Sequence, residues 1–277
     1  MRVGFVGVGD LGGAMATMIA RAGFDLTLCA RRPESLSQFD GSGVHVASTI
    51  RELGDQIDVA CLCVFDAADV TDVLFEQGLA RSLRPGSTVL IHSTVAPSVC
   101  IDAAAALAER GIDTLDAPIG GGAHHALERR LTVMAGGSGS VLNRVRPIFD
   151  AYARQVHHLG GIGAGQRTKL VNNITHLINI HQGLRALSTL ETVGVDRDKA
   201  RAVLIASSGQ SFAMTETIPR LLEIGLPHFI RMMRKEVTSF RTMIHPDDRA
   251  SASLAAAAED AVHHLRELVA YLECGET

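Results

Sequence analysis

Short apolar runs alternate with helical patterns over the first half of the chain. The runs predict strands at Arg2–Val6, Leu26–Cys29, Val44–Val46, Val59–Val64, Thr88–His92, Thr114–Leu115 and Leu131–Ala135. Apolar residues at helical spacing predict helices between them, at Leu11–Ala22, Ala67–Gln77, Val99–Arg110 and Val141–Ala153. This alternation predicts an α/β domain with a mostly parallel, doubly wound sheet.

A glycine-rich segment, Gly160–Gly165, then ends the strand pattern. From Gln166 to about Val193 the chain is helical throughout, and its apolar stripe is wide enough to indicate burial on several sides. Such a helix is roughly 40 Å long and can leave the sheet domain to form the core of a second one. The later segments are also helical, with a last helix near Ala250–Leu272. We therefore predict a dinucleotide-type sheet domain over residues 1–162 and an all-helical substrate and oligomerisation domain over residues 163–277, led by the long interdomain helix.

The composition agrees with a folded two-domain protein. Of 277 residues, 47% are hydrophobic and 20% are charged, which is enough apolar surface for two cores. A net charge of -4 without a long run of one sign gives no reason to expect nucleic acid or a membrane surface as a partner, so we expect a small-molecule substrate. We find no apolar stretch of membrane-spanning length and no signal-peptide pattern at the start, and we expect a cytoplasmic protein.

The cysteines give no indication of a disulfide framework or a metal site. They are odd in number and form neither a C-x-x-C pair nor a cluster with histidine at zinc-site spacing. We expect reduced, mostly buried thiols and no bound metal. The five positions are Cys29, Cys61, Cys63, Cys100 and Cys274.

A glycine motif follows the first predicted strand directly. Gly7, Gly9 and Gly12 form a G-x-G-x-x-G pattern at the point where a helix opens. The first glycine permits a tight turn, the second lets backbone N–H groups approach a pyrophosphate, and the third lets helix and strand pack closely. In this βαβ context the motif predicts a Rossmann domain that binds a nicotinamide dinucleotide.

The end of the second predicted strand indicates which dinucleotide is bound. An NAD-type site places an acid there for the ribose 2′-hydroxyl, but this chain has Ala30, Arg31 and Arg32. Two guanidinium groups without a carboxylate favour the 2′-phosphate of NADP, so NAD is the second choice. The alternative is that both arginines are ordinary solvated surface residues.

Lys169 and Asn173 lie one turn apart near the start of the long helix and share one of its faces. A lysine within an apolar stretch must either extend to solvent or lie in a functional pocket. If the face borders an interdomain cleft, an ammonium there can exchange a proton with an alcohol or carbonyl oxygen during hydride transfer.

At this point the sequence resembles the β-hydroxyacid dehydrogenase family, which includes 3-hydroxyisobutyrate dehydrogenases and glyoxylate or succinic semialdehyde reductases. The resemblance covers essentially the whole chain. It depends on five segments that occur in the same order as in the family and at similar distances along the chain. They are Gly7–Ala16, Ser93–Pro97, Asp116–Gly122, Gly163–Asn173 and Lys235–Glu236.

The resemblance implies roles for individual residues. Lys169 would be the catalytic lysine and Asn173 would orient the substrate. The substrate would also meet Thr94, Gly120, Gly121, Gly122 and Lys235. The cofactor would meet Gly7, Gly9, Asp10, Leu11, Gly12, Arg31, Arg32, Val64, Thr94 and Lys235.

Three positions depart from the family pattern. Gly120 replaces a serine whose hydroxyl would hold a substrate carboxylate, which predicts either a bulkier, less carboxylate-dependent substrate or a carboxylate held by the N–H groups of Gly121 and Gly122 alone. Glu236 replaces an aspartate. The segment after the glycines carries His124 and His125, which are either replacement donors or ordinary packing residues, and His228 is a similar candidate.

These observations predict an NADP-dependent hydroxyacid dehydrogenase or aldehyde-acid reductase. One alternative is an imine or ketone reductase on the same scaffold, although such enzymes typically lack the lysine. Another is a catalytically silent cofactor-binding module, for which loss of Lys169 or Asn173 would be typical. The apolar surface of the helical domain predicts a homo-oligomer, a dimer or tetramer.

Overall fold

The computed structural model describes residues 1–221, 225–245 and 247–274, with side chains through residue 265. The chain divides into two compact units between Lys169 and Leu170. All described strands belong to the first unit. They are β1 (Arg2–Val6), β2 (Asp25–Cys29), β3 (His45–Val46), β4 (Val59–Leu62), β5 (Thr88–Ile91), β6 (Asp113–Asp116), β7 (Ile119–Gly120), β8 (Leu131–Ala135) and β9 (Ala153–His158).

Helices separate the strands and make up the described part of the second unit. They are α1 (Asp10–Arg21), α2 (Ile50–Gln56), α3 (Ala67–Thr71), α4 (Leu79–Ser82), α5 (Pro97–Ala108), α6 (Ala123–Leu127), α7 (Gly139–Asp150), α8 (Ala164–Thr192), α9 (Arg197–Ile205), α10 (Leu226–Met243) and α11 (Arg249–Cys274). Pro33–Phe39 and Ile218–Arg220 are 3₁₀ turns, and Asp72–Glu76 and Ala213–Thr217 are π-helical. Within the described residues we find no helix long and apolar enough to cross a membrane.

The main sheet has six parallel strands in the order β3-β2-β1-β4-β5-β6. This is the Rossmann order, which reverses direction between β1 and β4 and there opens a crevice at the carboxyl ends of the strands. Buried side chains alternate between the two sheet faces, with Phe5 in the core under α1 and Val6 in the core under α2 and α5. The predicted doubly wound Rossmann fold is confirmed.

A second, three-stranded sheet lies beside the Rossmann core in the order β7-β8-β9. The sequence analysis predicted β8 but not this separate sheet. It missed β7 because two residues carry no periodicity, and it missed β9 because Ala153–His158 exposes most of its polar side chains. The segment predicted as one helix over Val141–Ala153 ends at Asp150, and Ala153 begins the strand.

The long helix predicted after the glycine segment is confirmed as α8, which has 29 residues. In the second unit its buried face packs with α10 and α11 in one core. Ala255, Ala258 and Ala261 on α11 are fully buried and small, which allows neighbouring helices to approach closely. No strand occurs after residue 158 in the described part of the chain.

Candidate active site

The three glycines after β1 have three different environments. Gly7 has a φ of 94°, and a Cβ there would overlap the carbonyl oxygen of Cys63. A Cβ on Gly12 would overlap the carbonyl oxygen of Gly7. A Cβ on Gly9 would meet no described atom within 4 Å. Protein atoms therefore leave no space for a side chain at Gly7 or Gly12. At Gly9 the space is open, as the approach of a pyrophosphate requires.

The helix that follows this turn presents its N-terminus at the open side. Gly9 is the N-cap of α1, and no described side chain caps its first N–H groups. Asp10 is exposed and Leu11 is partly buried in the first turn. Uncapped N–H groups at a helix N-terminus form an anion site, so this end of α1 can hold a dinucleotide phosphate.

Val64 lies two residues after β4, next to the glycine turn. Its backbone N–H donates to Ser93 Oγ at 2.9 Å, and the N–H of Cys63 donates to the carbonyl of Val6 at 2.9 Å. The structure thus brings Val64 and the glycines together at the point where the strand order reverses.

Arg31 and Arg32 follow β2 on the surface. The Arg31 side chain is 84% exposed and has one nitrogen 3.5 Å from a carboxylate oxygen of Asp69. Arg32 is exposed and is the N-cap of the 3₁₀ turn at Pro33. Both guanidinium groups are therefore accessible to an anion at the carboxyl end of β2.

The loop that carries Thr94 is held by a residue that the sequence analysis did not single out. Gln166, which is fully buried, accepts the N–H of Val95 at 3.2 Å and donates to the carbonyl of Ser93 at 2.8 Å. The two contacts fix the backbone on both sides of Thr94. They span more than 70 residues of sequence, so no local pattern could have indicated them.

Asp116 is a second residue of this kind, because its carboxylate anchors the start of α8. Its two oxygens accept the N–H groups of Gly163 at 2.6 Å and Gln166 at 2.7 Å. Burial raises the pKa of this carboxyl, while those N–H donors lower it. A Cβ on Gly136 would overlap one carboxylate oxygen and a Cβ on Gly165 would lie 2.8 Å from the other, so both glycines leave room for the anchor.

Lys169 and Asn173 are both buried, one turn apart on α8. Asn173 donates from Nδ2 to Glu236 Oε2 at 2.7 Å, and its Oδ1 accepts from Asn172 at 3.0 Å. With respect to the described residues, one N–H and one lone pair of the Asn173 amide thus remain for a ligand. Glu236 is buried on α10, and its neighbour Lys235 is half-buried. Glu236 therefore orients Asn173 within the second unit.

The glycine segment before α6 forms a second turn of the first unit. Gly121 and Gly122 have φ angles of 135° and 106°, which favour glycine. Gly120 is different, because a Cβ there would meet Met134 Cε at 3.6 Å and Thr132 at 3.9 Å, which are ordinary contacts. There is room for a serine at this position.

The three candidate histidines have different environments. His125 is buried, with Nδ1 3.0 Å from the carbonyl oxygen of Gly121, and its ring centroid is 3.9 Å from that of His124. His125 thus stabilises the glycine turn. His228 is exposed on α10, with Nδ1 3.4 Å from a nitrogen of Arg231.

Comparisons with known proteins cover both units of the chain. Residues 2–160 match the family model for the NAD-binding domain of 6-phosphogluconate dehydrogenase. Residues 163–267 match the model described as the NAD-binding of NADP-dependent 3-hydroxyisobutyrate dehydrogenase. The first match ends at residue 160 and the second begins at residue 163.

Individual relatives agree with the family models. The chain is 34% identical to an L-threonate dehydrogenase of Cupriavidus necator over 80% of its own length and 75% of the relative's. It is 31% identical to the 2-hydroxy-3-oxopropionate reductase of Escherichia coli over 90% and 82%. The crystal structure of a 3-hydroxyisobutyrate dehydrogenase from Salmonella typhimurium superimposes with a TM-score of 0.81 at 25% identity and covers 96% of this chain and 93% of that one. With its Rossmann glycine turn and helical second unit, the chain is an oxidoreductase that belongs to the β-hydroxyacid dehydrogenase family.

Proposed function

We propose that this chain transfers a hydride between NADP(H) and a small β-hydroxy acid or its aldehyde or keto acid, with Lys169 as the proton donor and acceptor. Residues 1–162 would hold the dinucleotide, and residues 163–277 would contribute to substrate binding and oligomerisation. The nicotinamide supplies or accepts the hydride when it is bound. Substrate binding and proton transfer need only side chains and backbone groups of the protein.

The observation that carries the proposal is the position of Lys169 on α8 between two fixed side chains. Gln166, one turn before it, is hydrogen-bonded on both sides of Thr94, and Asn173, one turn after it, is hydrogen-bonded to Glu236. Such preorganisation holds a proton donor in one place, which general acid–base catalysis requires.

The use of lysine at this position is itself informative. The sequence contains only three lysines, at 169, 199 and 235, among 26 basic residues. Arginine stays protonated under all physiological conditions, whereas a buried lysine can give up a proton and regain it. In reduction the Lys169 ammonium donates its proton to the carbonyl oxygen, and in oxidation the neutral amine removes the proton of the hydroxyl group.

Two further groups support the choice of cofactor and substrate. Arg31 and Arg32 lie exposed after β2 without an acid at the position that binds the ribose 2′-hydroxyl, which favours NADP. The N–H groups of Gly121 and Gly122, in the turn after β7, can donate to a carboxylate. Two relatives are named for threonate and for 2-hydroxy-3-oxopropionate, and both names describe small oxygenated acids.

The catalytic assignment is tested by steady-state and binding measurements on a panel of small hydroxy acids and their semialdehydes. Lys169→Ala should lower kcat by two or more orders of magnitude with little change in the Kd for the dinucleotide. Lys169→Arg should also be slow, because it keeps the charge but cannot release a proton. Lys199→Ala, on the exposed surface of α9, is the matched control. A Lys169→Ala enzyme that keeps most of its turnover would contradict the assignment.

The cofactor preference is tested separately by titration. NADP(H) should bind at least tenfold more tightly than NAD(H), a difference of about 1.4 kcal/mol. The double variant Arg31→Ala, Arg32→Ala should lose this preference, and Arg154→Ala, which removes an exposed arginine of β9, should keep it. Equal dissociation constants in the natural protein would show that the two arginines do not select the cofactor.

The position of Gly120 provides a test of the substrate class. Because a serine fits there, Gly120→Ser should fold normally. If the missing hydroxyl matters, this variant should raise kcat/KM for the smallest hydroxy acids by tenfold or more. If it leaves kcat/KM unchanged and the natural protein already turns these acids over efficiently, the backbone N–H groups suffice.

A further inference from the structure

Three side chains that commonly bind metals lie together in the second unit. His181 belongs to α8, and Asp260 and His264 belong to α11. One ligand atom of each residue lies within 4.8 Å of the other two. Asp260 and His264 are four residues apart, which puts them on one face of α11. The cluster therefore joins two helices that pack in the same core.

His181 is the buried member of this cluster. Its side chain is only 4% exposed, and its Nε2 is buried with no hydrogen-bond partner in the described part of the chain. Its Nδ1 lies 3.9 Å from Asp260 Oδ2, which is longer than a hydrogen bond. A buried polar atom without a partner costs free energy, and such atoms are rare in folded proteins. The Nε2 atom of His181 thus has coordination capacity that none of the described side chains uses.

The distances within the cluster are close to those of a metal site. His264 Nδ1 lies 3.2 Å from Asp260 Oδ1 and 3.0 Å from the backbone carbonyl oxygen of Asp260, and the two imidazole centroids are 4.8 Å apart. In a tetrahedral site with bonds of about 2.0 Å, ligand atoms are about 3.3 Å apart. Asp260 and His264 are 52% and 41% exposed, so rotation of these side chains can release the contact of His264 with the backbone carbonyl and close the remaining gap.

Charge and protonation state also suit a cation. A metal binds neutral imidazole and ionised carboxylate. The positive charge of Arg185 acts on His181 and would repel a bound cation. The Asp260 carboxylate supplies the opposing negative charge.

We propose that His181, Asp260 and His264 form a binding site for a divalent first-row transition-metal ion of the Zn²⁺ class. Two imidazoles and one carboxylate are a ligand set that such ions prefer, and three protein ligands leave a position for water. The bound ion links α8 to α11 and stabilises the folded second unit. The site uses none of the residues proposed for hydride transfer. The expectation of no metal was based on the cysteines, and no local pattern indicates this site because His181 is distant along the chain from the other two ligands.

The test is titration of the tag-free, full-length protein with Zn²⁺ after treatment with a chelator. Calorimetry should give one ion per chain, Co²⁺ should develop visible absorption bands, and Zn²⁺ should raise the Tm. His264→Ala and Asp260→Asn should each weaken Zn²⁺ binding at least tenfold and abolish the rise in Tm. Both side chains are half-exposed, so the metal-free Tm of each variant should stay near that of the natural protein.

Two more variants control for binding elsewhere. His245→Ala removes an exposed histidine that lies 3.8 Å from Asp247, and it should bind Zn²⁺ like the natural protein. Arg185→Gln removes the repelling charge and should tighten binding. Absence of saturable binding at one ion per chain would overturn the proposal. Unchanged Zn²⁺ affinity in both His264→Ala and Asp260→Asn would do the same.

Discussion

At the scale of single residues, the glycines of the turn after β1 meet two different requirements. One is close packing within the protein, and the other is space for the cofactor. Gly12 serves packing, since a side chain there would overlap the carbonyl oxygen of Gly7. Gly9 has open space around its Cα, so the protein itself does not require glycine at that position. A requirement for glycine at Gly9 must then come from the approach of the cofactor.

Gly9→Ala and Gly12→Ala should therefore have different effects. Gly9→Ala should leave the Tm of the cofactor-free protein nearly unchanged and weaken dinucleotide binding by at least tenfold. Gly12→Ala should destabilise the protein by roughly 1–3 kcal/mol, because the overlap with backbone cannot be relieved by a side-chain rotation. Thermal unfolding without cofactor, together with dinucleotide titration, distinguishes the two. Equal loss of stability in both variants would show that Gly9 also has a packing role.

A buried histidine near the carboxyl ends of the strands adds a pH dependence to folding. His92 donates from Nδ1 to the carbonyl of Ala117 at 2.7 Å, and Tyr152 lies 3.4 Å from its Nε2. The ring is surrounded by Phe5, Phe149 and Tyr152. Burial lowers the pKa of His92 to about 4, so the ring is neutral in the folded protein at pH 7.

The lowered pKa predicts a loss of stability in mild acid. The unfolded chain binds this proton with an ordinary pKa near 6.5, so the contribution of His92 is complete above that pH and is lost as the pH falls toward 4. By pH 5 the loss should be about 2 kcal/mol. Urea unfolding of the natural protein should show this loss of stability between pH 7 and pH 5. In His92→Gln, the loss of stability over the same pH range should be smaller by about 2 kcal/mol. If both proteins lose the same stability, His92 is not the group responsible.

At the scale of elements, α8 depends on Asp116 for its first turn. The carboxylate comes from the end of β6 and accepts two N–H groups that α8 and the segment before it cannot satisfy internally. A negative charge at a helix N-terminus is also favoured by the helix dipole. Because Gln166 lies in the same turn, the anchor also fixes the position of the Thr94 loop.

Asp116→Asn should therefore weaken both folding and catalysis. The asparagine amide keeps one oxygen as an acceptor but turns its NH2 group toward the second N–H donor, so one charge-assisted hydrogen bond is lost and the other is weakened, which should cost roughly 2–4 kcal/mol. The turn that carries Lys169 would then be less well fixed, so kcat should fall. Asp113→Asn is the matched control on the same strand, because Asp113 is exposed and paired with Arg144, and its loss should cost less than about 1 kcal/mol. Similar urea midpoints for the two variants would rule out a special role for Asp116.

At the scale of the whole molecule, periodicity predicted the parts of the fold that are buried in continuous runs. The strands of the Rossmann sheet and α8 follow directly from such runs. β9 did not, since its mostly exposed sequence ARQVHH has no alternation, and the apolar Val171 of α8 is exposed. Periodicity reports burial and therefore misses elements that are mostly solvated.

The sequence indicated candidate site residues where several of them lie in one short segment, as in the glycine turn and on the first turns of α8. It was missed where the chemistry depends on residues far apart in sequence. The contact of Asn173 with Glu236 spans 63 residues, and that of Asp116 with Gly163 spans 47. A single sequence contains no local signal for such pairs, so the supporting residues emerge only from the fold.

The last prediction concerns assembly. In the described part of the second unit, several large apolar side chains between residues 193 and 212 are solvent-exposed, with Val193 at 69% and Val203 at 63%. Exposed apolar surface of this kind favours a symmetric interface with a second copy. Light scattering at micromolar concentration should therefore give at least twice the 29.4 kDa mass of one chain. Val193→Ser with Val203→Ser should shift the mass toward one chain, whereas Val46→Ser, which changes an exposed valine of β3 in the first unit, should not. A natural protein with the mass of a single chain would contradict the oligomer, and an unchanged mass in the double variant would exclude this surface as its interface.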